Sequence, residues 1–212
     1  MMDILFNDIE IRILGCLIEK EMTTPEYYPL TLNSLTSACN QKSNRHPVVS
    51  YDEATVEEGV EGLRQKGFVS RTMMPGSRVA KYLHALPDRF DLSREEVALL
   101  CELMLRGPQT LGELRSRAER MTTLGSLEDL ERIIQGLMEH DPLLVTKLPR
   151  EAGRKESRYA HLLAGEVQPA SEQATGSSGS ADKISVLEAE VARLRQDLDE
   201  LRQEFETFKK QF

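Results

Sequence analysis

Two sets of charged side chains dominate the chemistry this chain can offer, and they have opposite signs. The basic set falls mostly in segments that read as loops and hairpins. Lys42 and Arg45 lie in the polar run 40–45, Arg71, Arg78 and Lys81 surround a first hairpin, and Arg115, Arg117 and Arg120 follow on a helix. A second hairpin carries Lys147, Arg150, Arg154, Lys155 and Arg158 against Glu151 and Glu156, a net of +3 over twelve residues. Cationic groups at that density suit phosphate contacts, which position a protein on nucleic acid without reading bases. The same hairpin equally suits a solvated, salt-bridged surface, and the run 40–45 suits a turn bonded to its own backbone. The acidic set is Glu53, Glu57 and Glu61, spaced by four residues along one helical face. Carboxylates so arranged suit a basic protein partner.

Covalent or metal chemistry is not expected. The chain has no G-x-x-x-x-G-K-[ST], no G-x-G-x-x-G after a strand and no G-x-S-x-G. Cys16, Cys39 and Cys101 are odd in number, lack C-x-x-C spacing and fall largely in apolar helical patterns, so buried, inert thiols are expected. His46, His84, His140 and His161 are scattered, with His84 and His161 at similar places in two hairpins. The expectation is a non-enzymatic protein with no cofactor and no metal.

The elements that must position these charges follow from periodicity. The first helix spans about Asn7 to Glu21, with Ile9, Ile13, Cys16 and Leu17 at helical spacing, and a short second helix covers about Thr31 to Asn40. A third helix, from Asp52 to Lys66, has Val56, Val60 and Leu63 as its apolar stripe, with Ser50 and Glu53 at capping-box spacing before it. Strands from Phe68 to Met74 and Val79 to Leu86 flank the turn 75–78. The order then recurs. A helix starts at Ser93 and stops at Gly107 and Pro108, others start near Leu111 and Leu127, and strands near Leu144 to Leu148 and Arg158 to Leu163 enclose a second hairpin tip. Leu63, Val69, Arg78 and Tyr82 correspond to Leu137, Val145, Arg154 and Tyr159, an internal repeat of about 75 residues.

Three helices followed by a hairpin is the winged-helix order. The expected fold class is mainly α with small β-hairpins: two tandem winged-helix domains, a flexible linker and a C-terminal coiled-coil helix. The boundaries are 1–90, 91–165, 166–183 (rich in Pro, Ser, Gly, Ala and Gln) and 184–212.

The stretch LIEKEMTTPEYYPLTLNSLTSACNQKSNRHPV, the hairpin GSRVAKYLH, the segment LRGPQTLGELRSRAERM and the hairpin REAGRKESRYAHL closely resemble the YceH-like bacterial family of uncharacterised tandem winged-helix proteins. The likeness runs from about Asp8 to Glu166 and implies the fold, with no established activity. His46 stands where the resemblance implies a carboxylate.

Charge qualifies the usual winged-helix mode, in which the third helix enters the DNA major groove. Residues 52–66 hold five acids against two bases and residues 126–139 four against one, so each third helix carries −3. Acids at a helix start favour the helix dipole, which accounts for Asp52, Glu53, Glu128 and Asp129 but not Glu57, Glu58 or Glu61. DNA contact is therefore expected through wings and basic loops. The alternative is a protein-binding adaptor whose acidic third helices meet a basic partner.

The 212-residue chain carries −8 overall and is 40% hydrophobic, enough to fill compact cores. It has no apolar run near the roughly 20 residues that span a bilayer and no basic-then-apolar leader, which predicts a cytoplasmic location without membrane contact. After the linker, Ile184, Leu187, Val191, Leu194, Leu198, Leu201, Phe205, Phe208 and Phe212 alternate spacings of three and four. With Ile184 at heptad position a, Glu190, Asp197 and Glu204 at g face Arg195, Arg202 and Lys209 at the next e. Those opposite signs predict a parallel homodimer, joined by a rod of about 43 Å.

Overall fold

Asn7 accepts the Glu10 amide while the Glu10 carboxylate accepts the Asn7 amide, and this reciprocal capping box starts α1 at Asp8–Thr23. The same device starts α5 (Arg94–Arg106) with Ser93 and Glu96, α6 (Leu111–Ala118) with Thr110 and Glu113, and α7 (Leu127–Glu139) with Ser126 and Asp129. Thr31 caps α2 (Leu32–Cys39) through the Ser34 amide. The third helix, α3 (Glu53–Gln65), is capped by Asp52, which accepts the Thr55 amide at 2.8 Å. The expected cap at Ser50 is thereby corrected by two residues, because Glu53 is already the first residue of the helix. These elements belong to a computed structural model that describes residues 5–73, 76, 79–150 and 156–165.

The described residues are mainly helical, with seven α-helices and two small antiparallel sheets. In the first sheet β2 (Val69–Met73) pairs with β3 (Ala80–His84), and β1 (Leu30–Thr31) adds to the free side of β3, giving the order β1-β3-β2. The second sheet pairs β4 (Val145–Lys147) with β5 (Tyr159–His161). Register matches between them: Val69 faces His84 as Val145 faces His161, and the Leu30–Tyr82 pair has its counterpart in an isolated bridge from Gln109 to Tyr159. Thr31 and Thr110, the caps of α2 and α6, directly follow those bridging residues. The repeat is thus a repeat of caps and registers as well as of sequence.

Two elements depart from expectation. Leu86, expected to end a strand, begins α4 (Leu86–Phe90), where Pro87 supplies a helical φ in the first turn and Leu86 and Phe90 are buried. The two residues of β1, too short for any periodicity, form because β3 offers an unpaired edge.

The core runs continuously through both copies. Phe6 meets Phe68 edge-to-face at 4.9 Å between ring centroids, Phe68 meets Phe90 at a tilt at 5.3 Å, and the Phe6 amide donates to the Leu163 carbonyl at 2.9 Å. At the centre α1 lies against α5, so that every residue from Glu10 to Glu19 and from Val97 to Leu105 is buried. Gly15 allows this approach: a Cβ there would sit 2.9 Å from Leu105 Cδ2. Each helix presents one face to its own copy and another to the other copy. The linker at 166–183 and the seam from Ile184 through Leu187, Val191, Leu194, Leu198, Leu201 and Phe205 to Phe208 lie outside the described residues.

Candidate functional site

Burial of α1 and α5 on all sides takes charges inside. Arg12 donates to the carbonyls of Cys39 at 3.4 Å and Pro47 at 2.6 Å, tying the loop after α2 to the helix core. Arg45, expected as an exposed phosphate contact, is instead 6% exposed and forms a bidentate pair with Glu19, itself 1% exposed. This is a correction with a plain cause: Glu19 is buried by the second copy and requires a cation, and Arg45 is the one its own loop delivers. Burial alone would raise the Glu19 pKa, but hydrogen bonds and charge from Arg45 and Arg120 hold it at about 2. Arg120 also pairs with Glu102, and Arg106 with Glu102 and Asn44. Other groups of the loop are also bonded internally: Asn40 and Tyr51 exchange hydrogen bonds at 2.7 and 2.8 Å, and the His46 amide donates to the Leu105 carbonyl at 2.8 Å.

The other predicted cations divide by exposure. Lys42, Arg71, Arg115, Lys147 and Arg150 are exposed and Lys81 is half-buried. Lys147 sits over the Tyr159 ring at 5.7 Å. Arg117 is held by Gln109 Oε1 at 2.6 Å and Glu113 at 3.2 Å, and Arg158 donates to the Pro108 carbonyl at 3.2 Å. Arg78, Arg154 and Lys155 lie outside the described residues.

The acidic helix has the opposite character. A cleft of about 630 Å³ lies between the start of α1 and α3, with Glu57, Glu58 and Glu61 in its wall beside Ile9, Gly59 and Gly62. The two glycines let the helices close on one another: a Cβ at Gly59 would fall 2.6 Å from Ile13 Cδ1, and one at Gly62 would fall 2.5 Å from Glu10 Oε1. Glu10 is buried and neutralised by Lys66 at 2.6 Å. Glu57, Glu58 and Glu61 are exposed, and Glu61 pairs with Arg64 on its own helix. Glu53 separates from this group, because its carboxylate accepts from Asn33 Nδ2 on α2 at 3.1 Å. In α7, Asp129 is occupied by the Ser126 cap and by Arg132, as the helix-start explanation requires.

The histidines at matching register have different surroundings. His84 Nε2 meets Glu21 at 2.7 Å, and the His84 amide donates to the Tyr28 hydroxyl at 2.8 Å. His161 has a buried Nδ1 with no hydrogen-bond partner among the described residues, and burial lowers its pKa to about 4. All three cysteines are buried and free, and burial pushes the Cys101 thiol up. Among the described residues, no group of three or more His, Cys, Asp or Glu side chains is placed to hold a metal ion, and no helix is long and apolar enough to cross a membrane.

Residues 6–154 match the family described as "Protein of unknown function, DUF480". A UPF0502 protein of Pelobacter propionicus is 50% identical to the chain and one of Geobacter sulfurreducens 52% identical, both over the full length of each partner. A UPF0502 protein of Opitutus terrae is 52% identical over 89% of this chain and 83% of its own.

Proposed function

The chain belongs to the DUF480 family, whose relatives are UPF0502 proteins, and for this member we propose a protein-binding function in which the α1–α3 cleft receives a basic segment of a partner. The observation that carries this reading is the cleft itself: about 630 Å³, walled by three exposed carboxylates, on a helix whose charge repels nucleic-acid phosphates. In this reading the two copies are winged-helix domains of the YceH-like type, supported by the repeated order of three helices and a hairpin and by the strand that joins the first hairpin. The protein is a non-enzymatic, cytoplasmic adaptor. Its C-terminal segment 184–212 forms a parallel coiled coil, giving two clefts per assembly and raising the effective concentration of the second for a repeated target.

Fluorescence anisotropy of the full chain with a labelled oligolysine peptide tests the cleft. Binding is expected, with a loss of about tenfold in affinity when Glu57, Glu58 and Glu61 are all changed to Gln. Equal affinity of wild type and the triple variant defeats the reading.

A second reading, DNA contact through the wings, is favoured by the exposure of Arg71, Lys147 and Arg150. Here duplex DNA of mixed sequence replaces the peptide, across a salt series. Binding with a steep salt slope that weakens in Lys147→Ala with Arg150→Ala favours the wings.

A further inference from the structure

The charges between the two copies close into a ring. Starting in the first copy, Arg45 donates to Glu19 at 3.0 Å through Nη1 and to the second Glu19 oxygen through Nη2. Arg120 of the second copy donates to Glu19 at 2.5 Å and to Glu102 at 2.8 and 3.1 Å. Glu102 lies 2.9 Å from Arg106 Nε, Arg106 donates to the Asn44 side chain, and the Asn44 carbonyl accepts from Arg45 at 3.0 Å. Three members come from each copy, and the ring crosses between copies twice, at Glu19–Arg120 and at Arg106–Asn44.

Three features make this more than a collection of surface ion pairs. Glu19 and Glu102 are almost fully buried, so neither carboxylate can exchange its partners for bulk water while the copies stay together. Each carboxylate serves two arginines, so displacing one alters the environment of the next. The ring also holds segments that lack regular structure of their own. Asn44 and Arg45 lie in the loop between α2 and α3, Arg120 lies just beyond α6, and the His46 amide bond to Leu105 anchors the same loop to α5.

We propose that this ring is a latch that makes the loop 41–47 of the first copy and the segment 119–124 of the second order and open together. A contact made at either segment is then felt at the other, which gives the protein a route for one copy to sense occupancy of its neighbour.

The test is hydrogen exchange of the full-length chain followed by mass spectrometry, with Asn44→Gly and, separately, Glu102→Gln. Asn44 is half-buried, outside any helix and at φ +59°, a left-handed conformation that glycine adopts freely, so Asn44→Gly removes its side chain without straining the backbone and is expected to leave the fold intact. Exchange at 119–124, in the other copy, is expected to rise by about fivefold, with 41–47 rising in parallel. Glu102→Gln, from the second copy, is expected to raise exchange at 41–47. The amides of β2 and β3 serve as the internal reference, because no ring member lies in that hairpin. A rise confined to the substituted copy overturns the latch. An equal rise in β2 and β3 also overturns it, by showing general loss of stability instead of coupled opening. If Glu102→Gln does not fold, Asn44→Gly decides the matter alone.

Discussion

Glu19 and Glu57 are carboxylates on helices of the same copy, and their fates are opposite. Glu19 is enclosed by α5 and the loop after α2, with both oxygens given to arginines, and its pKa is held at about 2. Glu57 faces a cleft, exposed, among acids of its own sign. Sequence charge alone does not distinguish structural from available groups; the packing of the second copy does. The joint uses its charges internally, and most of the arginines near it are no longer free for a ligand. In the cleft Glu57 and Glu58 are exposed and Glu61 is paired only with Arg64 of its own helix, which is why the cleft carries the functional reading.

The largest contrast is expected from deleting each carboxylate. Glu19→Ala leaves Arg45 buried without its counter-ion and should cost about 3–5 kcal/mol of unfolding free energy. Glu57→Gln, on an exposed surface, should change stability by no more than about 0.5 kcal/mol. Urea denaturation of the full chain, comparing midpoints at equal slopes, measures both. Similar losses for the two variants would erase the distinction between joint and cleft.

That distinction was only partly legible in the sequence. The helices and hairpins follow from local periodicity. The dipole argument set Asp52, Glu53, Glu128 and Asp129 at helix starts apart from Glu57, Glu58 and Glu61, and the structure gives Asp52 and Asp129 capping roles. Arg45 was misread because its partner, Glu19, is 26 residues away in the sequence. The Glu19–Arg120 pair spans 101 residues. Nothing local marks such pairs; the available signal was that Glu19 and Glu102 belong to the first helices of the two copies, which a repeat protein tends to pack together. The cleft was half visible: Glu57 and Glu61 were placed on one face, but Glu53 turns to Asn33, and Gly59 and Gly62 set the helix approach that makes the face concave. The site residues Arg78, Arg154 and Lys155 and the C-terminal seam remain expectations, outside the described residues.

Acid should destabilise the joint. Glu19 has a folded pKa near 2, below its ordinary 4.5, so its contribution is fully present above about pH 4.5 and is lost as pH falls toward 2. A shift of that size corresponds to about 3 kcal/mol. His161 acts in the same direction over a higher window: its folded pKa of about 4 lies below 6.5, so the folded state loses stability as pH falls from 6.5 to 4. Unfolding free energy measured from pH 7 to pH 3 should therefore decline in two stages. In His161→Gln the upper stage should disappear while the lower one remains. A single stage in both proteins would assign the acid sensitivity to other groups.

The smallest expected effect concerns how the cleft is shaped. Gly59 lies where α3 crosses α1, and a methyl group there would meet Ile13 Cδ1 at 2.6 Å and Ile9 Cγ2 at 2.8 Å. Ile13 is fully buried and cannot swing into solvent, so the helices must separate or the isoleucines leave their preferred rotamers. Overpacking of this kind costs about 1–3 kcal/mol, and the gain in helix propensity from Gly to Ala returns up to about 1 kcal/mol. A net loss of about 1 kcal/mol is expected for Gly59→Ala. Gly112, in α6, has nothing within 4 Å of its would-be Cβ, so Gly112→Ala should show only the propensity gain, with the opposite sign. Because Gly59 bears no charge, its substitution also separates shape from electrostatics at the cleft. If oligolysine affinity falls in Gly59→Ala while every carboxylate remains, the partner is held by the spacing of α1 and α3. Unchanged affinity would leave the charges of Glu57, Glu58 and Glu61 as the whole of the recognition.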